Sequence, residues 1–320
     1  MKNIVTFGGG TGTFVVLRAL RTVHELSLTA IVSGTDDGGS TGHLRDAYGF
    51  LPAGDVRQAL VALSEDDTRL RELFAYRFGK GNVSGHNLGN LFLTALTDIL
   101  GSNTEAIEEA SRILRIDGRV VCSTDMPATL VATLEDGTII CGEHLIDARE
   151  SDRRKIRQLS YEEPLPLSTG AIEAVAYAHY IFVGPGDLFT STVASLIATG
   201  TKEVIQASSA QIVYVMNLFT KAGQTTDFTA REHIETLASY MGRKPDYVII
   251  HSGSFTTDVL ELYASEGEYP VVDDLGEDSS VIRANIASVS SVPAVEGDPV
   301  PRSLIRHNPE KLATVCKTFL

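Results

Sequence analysis

Ile4-Val5-Thr6-Phe7-Gly8-Gly9-Gly10-Thr11-Gly12-Thr13-Phe14-Val15-Val16-Leu17-Arg18-Ala19-Leu20 is the stretch that decides how this chain reads. A short apolar run leads into a glycine loop, and the loop into a segment of helical character. Strand, glycine loop, helix is a layout that cradles a phosphate. Glycines admit close backbone approach, and the free N–H groups and dipole of the helix start favour negative charge. Gly8-x-Gly10 matches the opening of the dinucleotide fingerprint, but Thr13 stands where its third glycine belongs. A tight strand-to-helix turn that binds nothing is the alternative.

Residues 28–33 form a second apolar, β-branched run, so 4–33 reads as a βαβ unit with a parallel pair and a right-handed crossover. That strand runs into a second glycine-rich loop, Thr35-Asp36-Asp37-Gly38-Gly39-Ser40-Thr41-Gly42, at the same sheet edge. Helical segments are expected at 58–63, with Asp55 as N-cap, at 67–78, from 85–90 to about 100, and at 104–114, capped by Asn103 or Thr104. Near Gly118 the pattern changes. Residues 119–122, 128–134 and 138–141 read as antiparallel strands, with Asp136-Gly137 marking a hairpin. The charged run 150–155 reads as a solvated loop. The α/β pattern then resumes: helix 171–178, strand 180–183, loop Gly184-Pro185-Gly186-Asp187, a helix near 188–198, strand 211–216 ending at Asn217, helix 229–241, strand 247–250, helix 258–264, a strand near 281–282 and a terminal helix 309–319. The fold class expected is a doubly wound, mostly parallel, Rossmann-like α/β sheet. It forms one domain over 1–320, with a β-rich insertion at about 119–163. The strand-end loops gather along one edge, where such sheets bind ligands.

Composition narrows the function. With 43% hydrophobic and 21% charged residues in 320, the chain is an ordinary globular one able to bury a sizeable core. A net charge of −14 argues against nucleic acid and anionic membranes as partners, so local amides and a few placed cations must hold any phosphate. The three scattered cysteines, Cys122, Cys141 and Cys316, imply a reducing compartment. No Cys-x-x-Cys or His-x-x-x-His spacing supports structural zinc. The apolar run after Lys2 is too short for a signal-peptide core, and no stretch approaches the ~20 apolar residues of a membrane span. The expected location is cytoplasmic.

Residue by residue, Gly9, Gly10, Thr11, Gly12 and Thr13 would wrap a diphosphate. Asp36 and Asp37 follow the loop by roughly 20 residues, where dinucleotide binders place a ribose ligand. As a pair they are instead a candidate Mg²⁺ site, and either alone is a turn cap. Gly38, Ser40 and Thr41 offer backbone and hydroxyl donors to phosphate, or cap a helix. Arg45, Arg57 and Arg77 are candidate phosphate partners, although Arg57 is also placed for a salt bridge to Asp55. His86 and Asn87, flanked by glycines, read as ligand contacts or as a helix cap, with Asn90 in the same motif. Gly184 and Gly186 make a third close-approach loop. Asp187 is a helix cap, a metal ligand or a ribose ligand, and Asn217 could read a base or sugar amide. The chain has no nucleophile elbow, no Walker lysine and no Cys/His pair of known spacing. A transferase of phosphorus-containing groups needs only positioning, cations and metal, so an enzyme stays open.

Gly8-Gly9-Gly10-Thr11-Gly12, Asp36-Asp37-Gly38-Gly39-Ser40-Thr41-Gly42-x-Leu44-Arg45, Gly54-Asp55-x-Arg57, Tyr76-Arg77-Phe78, Gly85-His86-Asn87-x-Gly89-Asn90-Leu91, Gly184-Pro185-Gly186-Asp187-Leu188-Phe189-Thr190-Ser191 and Asn217-Leu218-Phe219-Thr220 occur in this order. Together they resemble the YvcK, or gluconeogenesis-factor, family of the CofD-like superfamily, which also holds 2-phospho-L-lactate transferases. The transferases share the first glycine loop and an aspartate pair. They lack Asp-Asp-Gly-Gly-Ser-Thr-Gly with Leu-Arg, and the Gly-His-Asn-x-Gly-Asn helix start. The resemblance implies a regulatory binder of a nucleotide sugar, notably UDP-N-acetylglucosamine, linked to cell shape and wall synthesis, with no required cofactor. It also allows homo-oligomers and cell-wall-synthesis or regulatory partners. A tyrosine and an arginine near the C-terminus are then implied sugar-nucleotide contacts, and their matches here are Tyr263 and Arg306. Two rival readings remain: a CofD-like transferase with a nucleotide-activated donor and Mg²⁺, in which Asp36 and Asp37 would be catalytic, and an NAD-binding protein.

Overall fold

The structure, a computed structural model, describes residues 1–48, 50–64, 68–289 and 305–320. Seven strands form the main sheet: β1 (Lys2–Phe7), β2 (Leu26–Val32), β3 (Arg119–Cys122), β7 (Tyr180–Val183), β8 (Gln211–Val215), β9 (Tyr247–His251) and β10 (Val281–Ala284). Their order is β10-β9-β8-β7-β1-β2-β3, and every pairing is parallel. Strands β4 (Leu130–Leu134), β5 (Ile139–Cys141) and β6 (Ile156–Tyr161) make a small antiparallel sheet, and β11 (Ala287–Val289) pairs antiparallel with β12 (Ile305–His307). The helices are α1 (Gly10–Arg21), α2 (Gly39–Tyr48), α3 (Ala53–Leu63), α4 (Thr68–Ala75), α5 (Leu88–Leu100), α6 (Asn103–Ile113), α7 (Glu143–Asp147), α8 (Thr169–Ala176), α9 (Thr201–Ala207), α10 (Ala230–Met241), α11 (Thr257–Ser265) and α12 (Pro309–Cys316).

Alternation along the strands divides the interior in two. Ile4, Tyr180 and Phe182 point to a core with α1, α3, α6 and α12, while Val5, Phe7, Ile181 and Val183 point to a core with α8, α9 and α10. A strand sends successive side chains to opposite faces, so strands covered on both faces are apolar at nearly every position. Helix α1 fits its layer because Thr13, Val16, Leu17 and Leu20 recur at helical spacing and are all buried. The inner face of the small sheet, Leu130, Ala132, Leu134, Leu159 and Tyr161, joins the second core.

Several expectations are corrected. Residues 119–122 join the main sheet parallel to β2 instead of the antiparallel set; Val120, Val121 and Cys122 are buried, as a doubly covered strand requires. Residues 39–42, expected to end the second glycine-rich loop, open helix α2. Its two glycines weaken a helix by about 1 kcal/mol each, and contact with α5 overrides that cost. The segment after Asp187 is a π-turn at Leu188–Thr192 and a 3₁₀ turn at Val193–Ser195, shorter than the single helix expected. The cap of α6 is Ser102, whose hydroxyl accepts the Glu105 N–H, and α3 starts at Ala53 after Pro52.

The shared core yields a first prediction. Leu130 is fully buried on the inner face of β4, so Leu130→Ala should lower global stability by about 2–5 kcal/mol in one cooperative denaturant transition. A separate early transition for the small sheet would contradict the packing.

Candidate functional site

The strand order reverses between β1 and β7, since β1 leads outward to β2 and β3 while the later strands lie on its other side. Such a switch point opens a crevice at the carboxyl ends of the strands. Phe7 pairs with Ile31 on one side and Val183 on the other, so the three loops that follow start level with one another. Two glycines let them meet. A Cβ at Gly12 would collide with the Pro185 carbonyl, and one at Gly9 with the Asp55 carboxylate. The Gly10 N–H donates to Asp55 Oδ1 (2.8 Å) and the Ser33 hydroxyl donates to Asp55 Oδ2 (3.2 Å). Asp55 therefore does not cap α3: it lies inside that helix, and its carboxylate serves the start of α1. Thr11 is exposed at that start, while Thr13 is buried one turn in.

The second loop binds to α3 and α5 by a hydrogen-bond chain. Gly38 N–H donates to Asp36 Oδ1 (3.0 Å), and Thr41 adds a side-chain hydrogen bond to Asp36. Asn90 Nδ2 donates to Thr41 Oγ1 (3.1 Å) and Arg57 Nε donates to Asn90 Oδ1 (3.0 Å). Ser40 Oγ lies 3.1 Å from His86 Nδ1 and accepts the Asn87 N–H (3.3 Å). Asn87 is the N-cap of α5, with Oδ1 accepting the Asn90 N–H (3.3 Å). Arg77 donates to the Gly85 carbonyl (2.7 Å). Arg45 lies in α2, and its side chain is outside the described residues.

The aspartate pair separates. Asp37 accepts the backbone N–H groups of Glu143 (3.0 Å) and His144 (2.8 Å) at the start of α7. Asp36 instead joins a group of carboxyls that sequence reasoning partly missed. Thr35 Oγ1 donates to Glu143 Oε2 (3.0 Å). Burial pushes Glu143 well above the usual carboxylate range, and the charges of Asp36 and Asp55 push it further. Burial, then the Asp36 charge, raises Asp55 to about 6. Asp36 and Asp187 are raised chiefly by burial. Asp147, also missed, rises to about 7 through burial and the Asp187 charge; it accepts from Thr190 Oγ1 (2.8 Å) and Gln224 Nε2 (2.6 Å). Lys221 bridges Glu268 at 3.2 Å and is the cation whose charge lowers Asp187. It stands one residue beyond the Asn217–Thr220 motif, a signal that was within reach. Glu143 and Asp147 had none, because they arrive on an insertion.

On the far side of the crevice Asn217 Nδ2 donates to the Gly186 carbonyl (2.7 Å), tying β8 to the loop that begins at Gly184. His307 lies 3.0 Å by Nε2 from the Met216 carbonyl, and burial lowers it to about 4. Arg306 is therefore carried on β12 beside that strand end. The Tyr263 hydroxyl accepts the Ile305 N–H (3.0 Å), and its ring stacks on Phe219 at 4.1 Å. Tyr263 is buried. Tyr263 lies inside a small core and supports the strand that bears Arg306 through the Ile305 N–H.

The family model described as 2-phospho-L-lactate transferase CofD matches residues 4–291. The chain belongs to the CofD family. Within it, the gluconeogenesis factor of Halalkalibacterium halodurans is 38% identical over 314 residues, covering 98% of this chain and 94% of that protein. The gluconeogenesis factor of Bacillus subtilis is 34% identical over 325 residues, covering 99% and 98%. A crystal structure of a Bacillus halodurans protein, described as a member of the UPF0052 family, superposes with a TM-score of 0.88 at 35% identity, covering 98% of this chain and 99% of that one. The resemblance to gluconeogenesis factors thus holds along the chain, and so does the parallel CofD-family fold. Among the described residues, no helix is long and apolar enough to cross a membrane.

Two measurements check the geometry. Gly12→Ala should cost about 1–3 kcal/mol of stability in urea titrations, because backbone faces the new methyl. Asp55 has a folded-state value of about 6, above its ordinary 3.8. The native state thus holds this proton more tightly than the unfolded chain. Its contribution is complete below pH ~4 and lost as pH rises through ~6, at most roughly 3 kcal/mol. Asp55→Asn should flatten that part of the stability–pH curve; an unchanged slope would count against a strained carboxyl at this amide.

Proposed function

We propose that this protein is a cytoplasmic regulatory binder of a nucleoside-diphosphate sugar, with UDP-N-acetylglucosamine the first ligand to test. The observation that carries the reading is the meeting of three strand-end loops at the switch point, where α1 begins. A helix start and glycine backbone suit a diphosphate. Carboxyls such as Asp36 and Glu143, and the amide of Asn217, suit the hydroxyls and amide of ribose and sugar. Arg306, on β12 beside the Met216 strand end, is the cation proposed to meet the ligand from the C-terminal side. The relatives called gluconeogenesis factors support a role in metabolic regulation, and the sequence resemblance extends it to cell shape, wall synthesis and self-association.

The family description favours one second reading, a transferase of a phosphorus-containing group. Its Mg²⁺ would screen the charge on the donor phosphates. Oxygen donors suit that ion, which commonly takes one or two carboxylates together with substrate phosphate. Asp36 is the better carboxylate for it, because Asp37 already accepts two amide protons.

A thermal-shift titration with UDP-N-acetylglucosamine, UDP-glucose, NAD and GDP, each with and without Mg²⁺, separates these readings. A ligand at 100 times its Kd adds about 2.7 kcal/mol of stability. The expected result is a shift with UDP-sugars that is lost in Arg306→Ala. A shift with GDP and Mg²⁺ only would favour the transferase, and one with NAD alone would leave the fold right and the ligand wrong.

A further inference from the structure

Helix α7 is a single turn, yet it touches both halves of the crevice. At its start Glu143 and His144 donate their N–H groups to Asp37, on the loop after β2. At its end Asp147 accepts from Thr190, on the segment after β7, and from Gln224, on the segment after β8. Strands β2 and β7 flank β1, which sets them about 10 Å apart. A five-residue helix is about 7.5 Å long, so α7 with the Asp37 and Asp147 side chains matches that gap. The chain leaving α7 is anchored too. Arg149, only 6% exposed, donates to the Gly223 carbonyl (2.8 Å) and to the Arg154 carbonyl (2.7 Å). A Cβ at Gly223 would collide with the Arg149 backbone, so this contact is close-packed as well as hydrogen-bonded.

We propose that α7 is a strap fixing the spacing of the loops on either side of the first glycine loop, and that Asp37 is a positioning residue which acts on ligand binding through that strap. The two adjacent aspartates thereby divide the work: Asp36 belongs to the ligand site and Asp37 holds the β-rich insertion across it. The proposal rests on the crevice being the nucleotide site.

The test has two arms. Amide hydrogen exchange on the ligand-free protein asks whether the strap transmits. Gln224 links Asp147 to the Phe189 N–H, which donates to Gln224 Oε1 (3.3 Å). Asp37→Asn should therefore speed exchange tenfold or more at Glu143 and His144 and also at Phe189, on the opposite loop. Acceleration confined to Glu143 and His144 would make Asp37 a local cap and overturn the proposal. The second arm measures the Kd of UDP-N-acetylglucosamine for wild type, Asp37→Asn, Asp147→Ala and the double variant. Each single variant is expected to weaken binding about tenfold, and the double variant by less than twofold more. Losses that multiply would mean that Asp37 meets the ligand directly. Absence of binding by wild type would count against the nucleotide-sugar reading, while the exchange arm still decides the strap. The exchange arm also stands if Asp147→Ala fails to fold.

Discussion

The Gly10 amide donating to the Asp55 carboxylate is the contact on which the site depends. It seats a side chain from α3 at the start of α1, and Gly9 leaves the space for it. Unpaired N–H groups at a helix start attract negative charge. Here the chain itself occupies one of them, the Gly10 N–H, with the Asp55 carboxylate. The placement brings Asp55 against Asp36 and Glu143 in a setting where ionisation is costly, and each is raised above the usual carboxylate range. A crevice of this kind accepts a polyanion only where amides, hydroxyls and cations outweigh the acids. The chain as a whole, at −14, adds no attraction.

Around this contact the second loop is locked by groups distant in sequence. Arg57, Asn90, Thr41 and Asp36 form one hydrogen-bonded run, and His86, Ser40 and Asn87 another. Residues with both a capping reading and a ligand reading therefore carry structural bonds: Asn87 caps α5, and Ser40 accepts from its backbone. A side chain that braces a loop also fixes the loop's remaining donors, so the two readings reinforce one another. On the other side, the Phe219–Tyr263 stack and the Tyr263–Ile305 hydrogen bond hold β12 against the end of β8.

Legibility followed distance along the chain. The glycine loop, β1, α1 and β2 were readable because apolar period and glycine placement are local signals. The α5 start was readable from Gly85-His86-Asn87. Helix α2 was not, since its glycines oppose a helix and only packing on α5 and the hydroxyl bonds of Ser40 and Thr41 pay that back. β3 was misassigned because three apolar residues after Arg119 carry no information about parallel or antiparallel partners. Glu143, Asp147 and Gln224 were invisible as site residues, for nothing in their neighbours marks a catalytic or binding loop.

By itself, then, the amino-acid order determined the parallel α/β class, the glycine loops at strand ends and the family motifs, because each of these is written in residues a few positions apart. Tertiary structure alone decided which carboxylate of the Asp36-Asp37 pair turns to the crevice, that Asp55 serves α1 instead of its own helix, and that an antiparallel insertion reaches across to supply Glu143 and Asp147. The physical reason is that a carboxylate's role is set by which donors lie within about 3 Å of it. Those donors come from segments separated by up to 107 residues.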